Sequence, residues 1–105
     1  MMQLARSWSA LATPEGARQY AELFQTRVMP QLARIEGHAG ALVLERALAD
    51  GQIEIKVITL WASLEAIKRF AGEAYALAVV EPEARALLSS FEDRVEHHSV
   101  VLDSR

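Results

Sequence analysis

The sequence predicts an α+β fold, with elements in the order strand, helix, strand, strand, helix, strand, in a single domain spanning residues 1–105. Three observations predict it. The first is the stretch IEIKVITLWASLEAIKRFAG, Ile53 to Gly72. Ile53, Ile55 and Val57 alternate with Glu54 and Lys56, the period of a strand with one wet face. From Val57 to Trp61 every residue is apolar or small, which predicts a strand end covered on both faces. Ser63 then supplies a helix N-cap oxygen, Leu64, Ile67, Phe70 and Ala71 follow at helical spacing, and Gly72 can close the helix. The second is Asp50-Gly51, a strong hairpin signal directly before that strand. The third is Thr13-Pro14-Glu15, a helix start with an N-cap, a proline at the first helical position and an acid at the positive end of the dipole.

Taken in order, Met2 to Leu11 reads as strand one. Met2, Leu4, Arg6, Trp8 and Ala10 share one face, and Ala5, Ser7 and Ser9 share the other. Helix one follows and buries Ala17, Tyr20, Ala21, Phe24 and Val28, with Gly16 weakening its first turn. Pro30 kinks or restarts the helix, and Leu32 and Ile35 carry a short second segment that ends before Gly37. Glu36 to Gly40 reads as a loop and Ala41 to Ala49 as strand two, with Leu42, Leu44 and Leu48 on one face. Strand three pairs antiparallel with it through Asp50-Gly51, and helix two runs from Leu64 to about Ala71. Glu73 to Val80 fits a short helix or an extended segment. Pro82 opens another helical turn carrying Ala84, Leu87 and Leu88, with Phe91 as a further candidate, and Val95 to Leu102 is the last strand.

Two β-α-β crossovers in one sheet must both be right-handed. The compact arrangement is a ferredoxin-like split β-α-β (βαββαβ) sandwich with both helices on one sheet face. The other face then carries Val57 or Ile58, and Leu60 or Trp61. A monomer would expose that apolar surface, whereas two sheets packed face to face bury it, so the sequence predicts a homodimer in a dimeric α/β barrel.

Composition narrows the function. Hydrophobic residues make up 51% of the chain, high for a sequence with no apolar run near the roughly 18 residues of a membrane helix. The N-terminus, with charged and polar residues in it, reads as a strand and not as a signal peptide. Cysteine is absent, which removes disulfide and thiolate chemistry and fits a cytoplasmic protein. The net charge is −3 and the eleven basic residues are spread along the chain, so no nucleic-acid footprint is expected.

The segments LWASLEAIKRFAGE, AVVEPEAR and FEDRVEHHSVV resemble the antibiotic biosynthesis monooxygenase domains of the dimeric α/β-barrel fold over nearly the whole chain. The Trp-x-Ser-x-Glu-Ala-Ile helix entry and the Val-Glu-His strand carry the resemblance. It implies a cofactor-free oxygenase, since the family includes such enzymes acting on polycyclic phenols and quinols. The same family holds haem-degrading enzymes, enzymes of signal-molecule breakdown and members without known activity. Trp61 matches the tryptophan of the haem-degrading branch. The asparagine expected on strand one and the histidine expected at the end of helix two are missing, since Arg6-Ser7-Trp8 and Arg69-Phe70-Ala71-Gly72 stand there, and haem degradation is disfavoured.

Seven residues are candidates for the site. Trp61 either stacks on a flat substrate and offers its indole N–H, or packs in the core between sheet and helix two; Trp8 has the same two readings. His97 and His98 are adjacent on a strand and point to opposite faces, so they cannot chelate one ion together, and no metal cluster is spaced along the chain. One of them faces inward. His97 matches the histidine of the resemblance and is the expected base, with a hydrogen-bonded structural histidine as the alternative; His98 is a secondary contact. Arg6, on an otherwise apolar face, pairs with Glu96 or stabilises a substrate anion. Tyr75 lies in a segment that could cover a cavity, and Phe70 is a substrate contact. His38, in its glycine-rich loop, is expected to be solvated.

The expected function is a homodimeric, cofactor-independent monooxygenase-like enzyme. It would hold a small aromatic or quinol-type molecule between sheet and helices, with His97 as base, Trp61 as wall and Arg6 as anion stabiliser. The alternative is a non-catalytic ligand-binding or stress-related dimer of the same fold.

Overall fold

Residues 3–105 are described by a computed structural model. The middle of its sheet is β1 (Leu4–Ala12), flanked by β3 (Ile53–Trp61) on one side and by β4 (Ser90–Phe91) and β5 (Glu96–Ser99) on the other. β2 (His38–Ala47) forms the far edge beyond β3, and every pairing is antiparallel. This is the strand arrangement of the split β-α-β sandwich expected from the sequence. The expected position of Met2 on the first strand lies outside the described residues.

The helices start where the caps predict. α1 (Pro14–Leu23) opens with the Gly16 amide donating to Thr13 Oγ1 at 3.0 Å. Gly16 has a packing reason: a Cβ there would stand 2.4 Å from the Leu87 carbonyl oxygen. A π-helical turn, Phe24–Val28, then leads into α2 (Met29–Ala33), where Pro30 sits in the first turn. Proline cannot donate to the preceding turn, and the wider turn upstream restarts the helix without breaking its path. α3 (Leu64–Ala71) is capped by Ser63 Oγ, which accepts from the Ala66 amide at 3.2 Å, and it stops at Gly72. A short α4 (Pro82–Arg85) follows the proline at its start.

Three boundaries differ from expectation. β2 begins at His38, inside the expected glycine loop, because a bulge between His38 and Gly40 lets pairing with β3 start early. It ends at Ala47, where the Leu48 amide turns to Gln52 O and closes a longer hairpin loop than Asp50-Gly51 alone implies. The expected last strand, Val95 to Leu102, shortens to β5, and a separate β4 forms before it at Ser90–Phe91, where Phe91 was expected to continue a helical turn. β4 lies opposite Ala10 and Leu11, and β5 opposite Leu4 to Ser7. Between them the chain leaves β1 and pairs with residues 76–78, through Ala78 N to Asp93 O (2.8 Å), Val95 N to Ala76 O (3.0 Å) and a Leu77–Arg94 bridge. The backbone of residues 93–95 is thus satisfied by the extended end of the Glu73 to Val80 segment.

The two sheet faces separate as the pleat dictates. Ile55, Val57, Thr59 and Trp61 face the helices with Ala10, Ala12, Ala17, Tyr20, Phe24, Leu32 and Ile67, and all are buried. Ile58 and Leu60 take the other face, along with Leu42 and Leu44, which remain 48% and 45% exposed. Gly37 joins α2 to β2 at φ +94°, and a Cβ there would lie 2.5 Å from Ala66 Cβ, so the turn and α3 pack in direct contact.

Candidate functional site

The antiparallel register lines up one row of polar side chains across the inner face. Arg6 on β1 is opposite His97 on β5 and opposite Thr59 on β3. Residues directly opposite in a sheet share a face, so all three point toward the helices. Arg6 and Thr59 are 5% and 7% exposed, deep burial for a cation and a hydroxyl.

Arg6 has no acidic partner among the described residues. The expected pairing with Glu96 does not form: Glu96 stands opposite Ser7, and its side chain points to the other face. Instead Arg6 Nη1 donates to the Tyr75 carbonyl and approaches His97 Nε2 at 3.1 Å, and Nη2 donates to the Leu77 carbonyl at 3.0 Å. The guanidinium also stacks on Phe70, 5.6 Å from the ring centre. Burial lowers the Arg6 pKa to about 10, so it remains a cation at neutral pH. His97 accepts at Nε2, which makes it a neutral imidazole with its proton on Nδ1. Burial, then the adjacent Arg6 charge, then His98 hold its pKa below the ordinary 6.5. The Tyr75 ring meets the His97 ring edge-on at 5.7 Å, and Lys68 Nζ lies 5.7 Å from the Tyr75 ring centre.

A cavity of about 180 Å³ opens between sheet and helices above this row. Tyr20, Leu23, Phe24, Leu32, Val57 and Ala84 form its apolar walls, Arg6 and Thr59 its polar floor, and Gln31, Val79 and Glu81 are exposed lining residues. Burial among these walls pushes the Tyr20 phenol up to about 12, so it is neutral. Phe70 and Trp8 also line the cavity. The Trp8 indole N–H is already spent on the Glu92 carbonyl at 2.8 Å.

The remaining candidates lie elsewhere. Trp61 is 0% exposed and does not line the cavity. It stacks on Phe70 at 5.6 Å, and its N–H donates to Thr59 Oγ1 at 2.8 Å, which matches its core-packing reading. His97 and Tyr75 contact Arg6 but do not line the cavity. His98 stands opposite Ala5 on the outer face and is exposed. His38 is not solvated as expected. It packs edge-on against Trp61 at 5.0 Å with Nδ1 buried and unpartnered, because β2 begins early and sets it opposite Trp61. Thr59 is the site residue that sequence reading passed over. Its signal was the Thr-x-Trp spacing, which places a hydroxyl beside the indole on one strand face. Among the described residues no group of three His, Cys, Asp or Glu side chains is placed to hold a metal ion.

No protein-family model matches the sequence, and no curated protein matches it. Solved structures do match in shape. A Nitrosomonas europaea protein of unknown function superposes with a TM-score of 0.69 at 19% identity, covering 100% of this chain and 95% of the other. A Bacillus cereus protein named as a candidate antibiotic biosynthesis monooxygenase matches with a TM-score of 0.59 at 18% identity, covering 100% and 97%. SnoaB, a cofactor-independent oxygenase from Streptomyces nogalater, matches with a TM-score of 0.58 at 20% identity, covering 98% and 95%. The chain therefore has the ferredoxin-like α+β fold shared by antibiotic biosynthesis monooxygenase structures.

Proposed function

We propose that this chain is a cofactor-independent monooxygenase-like enzyme acting on a small aromatic or quinol-type molecule. One observation carries the reading: an apolar cavity with a single buried cation on its floor, Arg6, on a fold whose solved examples include a cofactor-independent oxygenase. A buried guanidinium without a carboxylate favours the ionised form of a phenol placed beside it. His97 lies behind Arg6, so the phenol proton passes to His97 Nε2 through one bridging water as the Arg6 N–H now facing that atom turns to the phenolate oxygen. The electron-rich anion then reacts with dioxygen. A ring C–H para to the phenolate oxygen becomes C=O while the phenolate C–O becomes the second C=O of a quinone, the other oxygen atom leaves as water, and all electrons come from the substrate. Trp61 acts from behind, through Phe70 and Thr59, as a wall of the scaffold. Trp8 and Phe70 contact the ring.

The test is dioxygen uptake by purified protein with a panel of phenols and quinols. The expected product is heavier by one oxygen and lighter by two hydrogens, and Arg6→Met slows its formation. Uptake no faster than in buffer for every compound would overturn the reading. A ligand-binding protein without chemistry is the second reading, favoured by His97 lying behind Arg6 and not in the cavity wall. We also propose that the chain is a homodimer, supported by Leu42 and Leu44 exposed on the outer sheet face. A monomer mass by light scattering at micromolar concentration would sink that proposal.

A further inference from the structure

We propose that Arg6 and Thr59 together form an oxyanion pocket that takes a single-ring phenol as its phenolate and rejects fused-ring substrates. The inference rests on the oxygenase-like reading of the same cavity and narrows its substrate class.

Hydrogen-bond capacity supports the charge. A guanidinium has five N–H donors. Tyr75 O, His97 Nε2 and Leu77 O take three of them, which leaves two without a partner among the described residues. Thr59 sits opposite Arg6 in the register, and its Oγ1 already accepts the Trp61 N–H. A hydroxyl that accepts on one side still has its own proton to donate. Among the described residues nothing accepts that proton. Two donors of different strength therefore belong to residues that stand opposite one another in the sheet and line one apolar cavity, and the acceptor they lack is an oxygen anion. Trp61 is a positioning residue in this pocket: its N–H occupies a Thr59 lone pair and so turns the hydroxyl proton away from itself.

Volume supports the size limit. The cavity measures about 180 Å³. An engineered cavity of about 150 Å³ takes benzene, and sites for drug-sized ligands begin at about 300 Å³. One substituted ring fits within the apolar walls, whereas three fused rings would have to displace Phe24, Leu32 or Val57 or project past Gln31, Val79 and Glu81 into solvent.

The test uses 4-nitrophenol, whose phenolate absorbs in the visible and which is too electron-poor to be consumed by dioxygen. Wild-type protein is titrated with the dye across pH, and the ionisation of bound dye is compared with that of free dye. Bound dye is expected to ionise at lower pH than free dye, and a three-ring phenol is expected to bind at least tenfold more weakly. Arg6→Met reverses the shift, because an apolar cavity without the cation favours the neutral phenol. Thr59→Val reduces the shift and Thr59→Ser restores it, a rescue that a purely structural threonine would not give. Circular dichroism and a cooperative melt establish that each variant is folded, and Thr59→Ser keeps the test informative if Thr59→Val is not.

Binding of the dye as a neutral phenol by wild type overturns the proposal, as does the absence of any binding. An ionisation shift unchanged in Arg6→Met, or tighter binding of three-ring phenols, overturns it equally. The two readings fail separately. Dye bound as phenolate with no dioxygen uptake from any phenol leaves the pocket standing and removes the oxygenase. Uptake with fused-ring phenols and no dye binding does the reverse.

Discussion

Arg6 and Trp61 are both polar-tipped side chains buried under the same helices, and they end in opposite situations. Trp61 closes one end of the sheet. Phe70 covers its face, His38 meets its ring, and its only N–H is satisfied by Thr59. Nothing is left over for a ligand. Arg6 lies one strand away with its charge unmatched, donors to spare and a cavity beside it. A buried polar group becomes a site only where its neighbours leave capacity unspent. The more conspicuous residue in the sequence is therefore spent on the scaffold, and the arginine one strand away is the one that keeps hydrogen-bonding capacity beside a cavity.

Each of four measurements can break this contrast. The largest effect is expected for Trp61→Ala, which opens a cavity in the closed end and frees Thr59 Oγ1. A loss of about 3–5 kcal/mol in urea unfolding is expected, and a loss below about 1 kcal/mol would mean that Trp61 is not the structural member of the pair. Next comes Gly37→Ala, which meets a positive φ and the Ala66 methyl together. It should cost about 2 kcal/mol at the same closed end, read as a lower urea midpoint with unchanged slope.

Arg6→Met should unfold only about 1 kcal/mol more easily, since relief of a desolvated charge offsets the released Tyr75 and Leu77 carbonyls. It should nevertheless abolish the preference for a bound phenolate. A cost as large as that of Trp61→Ala would erase the distinction between scaffold and site. The smallest effect is expected from mild acid. His38 and His97 both have pKa values held below 6.5 in the folded chain, each first by burial. The unfolded chain then binds more protons as pH falls through 6.5, so stability is retained above that pH and declines below it. His97→Gln, which keeps an acceptor for Arg6, should flatten part of that decline in thermal melts between pH 7 and pH 5.5. An unchanged profile would show that His97 is not held neutral by its place beside Arg6.

Much of the frame was legible because local signals were strong and agreed. Thr13, Ser63 and Gly72 each fixed a helix end through a single backbone hydrogen bond or a left-handed turn. Alternation in Ile53 to Val57 fixed which residues face the helices, and the opposite facing of His97 and His98 followed from the pleat alone. The site was less legible because it depends on pairings distant in sequence. Nothing near Arg6 indicates that its partners come from Tyr75 and Leu77, nor that the segment 93–95 would leave the sheet to hold them in place. The Glu96 pairing was a reasonable expectation by charge, and it was off by one residue, which on a strand means the other face.

By itself the sequence determined the elements, their order, the inner and outer faces of each strand and the crossover topology, because these follow from periodicity, caps and chain handedness. Only the tertiary structure decided the register that sets His97, Arg6 and Thr59 in one row, the spending of the Trp61 N–H, and the cavity that leaves Arg6 partly free. Those depend on where distant backbone carbonyls and side chains come to rest, and no local pattern carries that information.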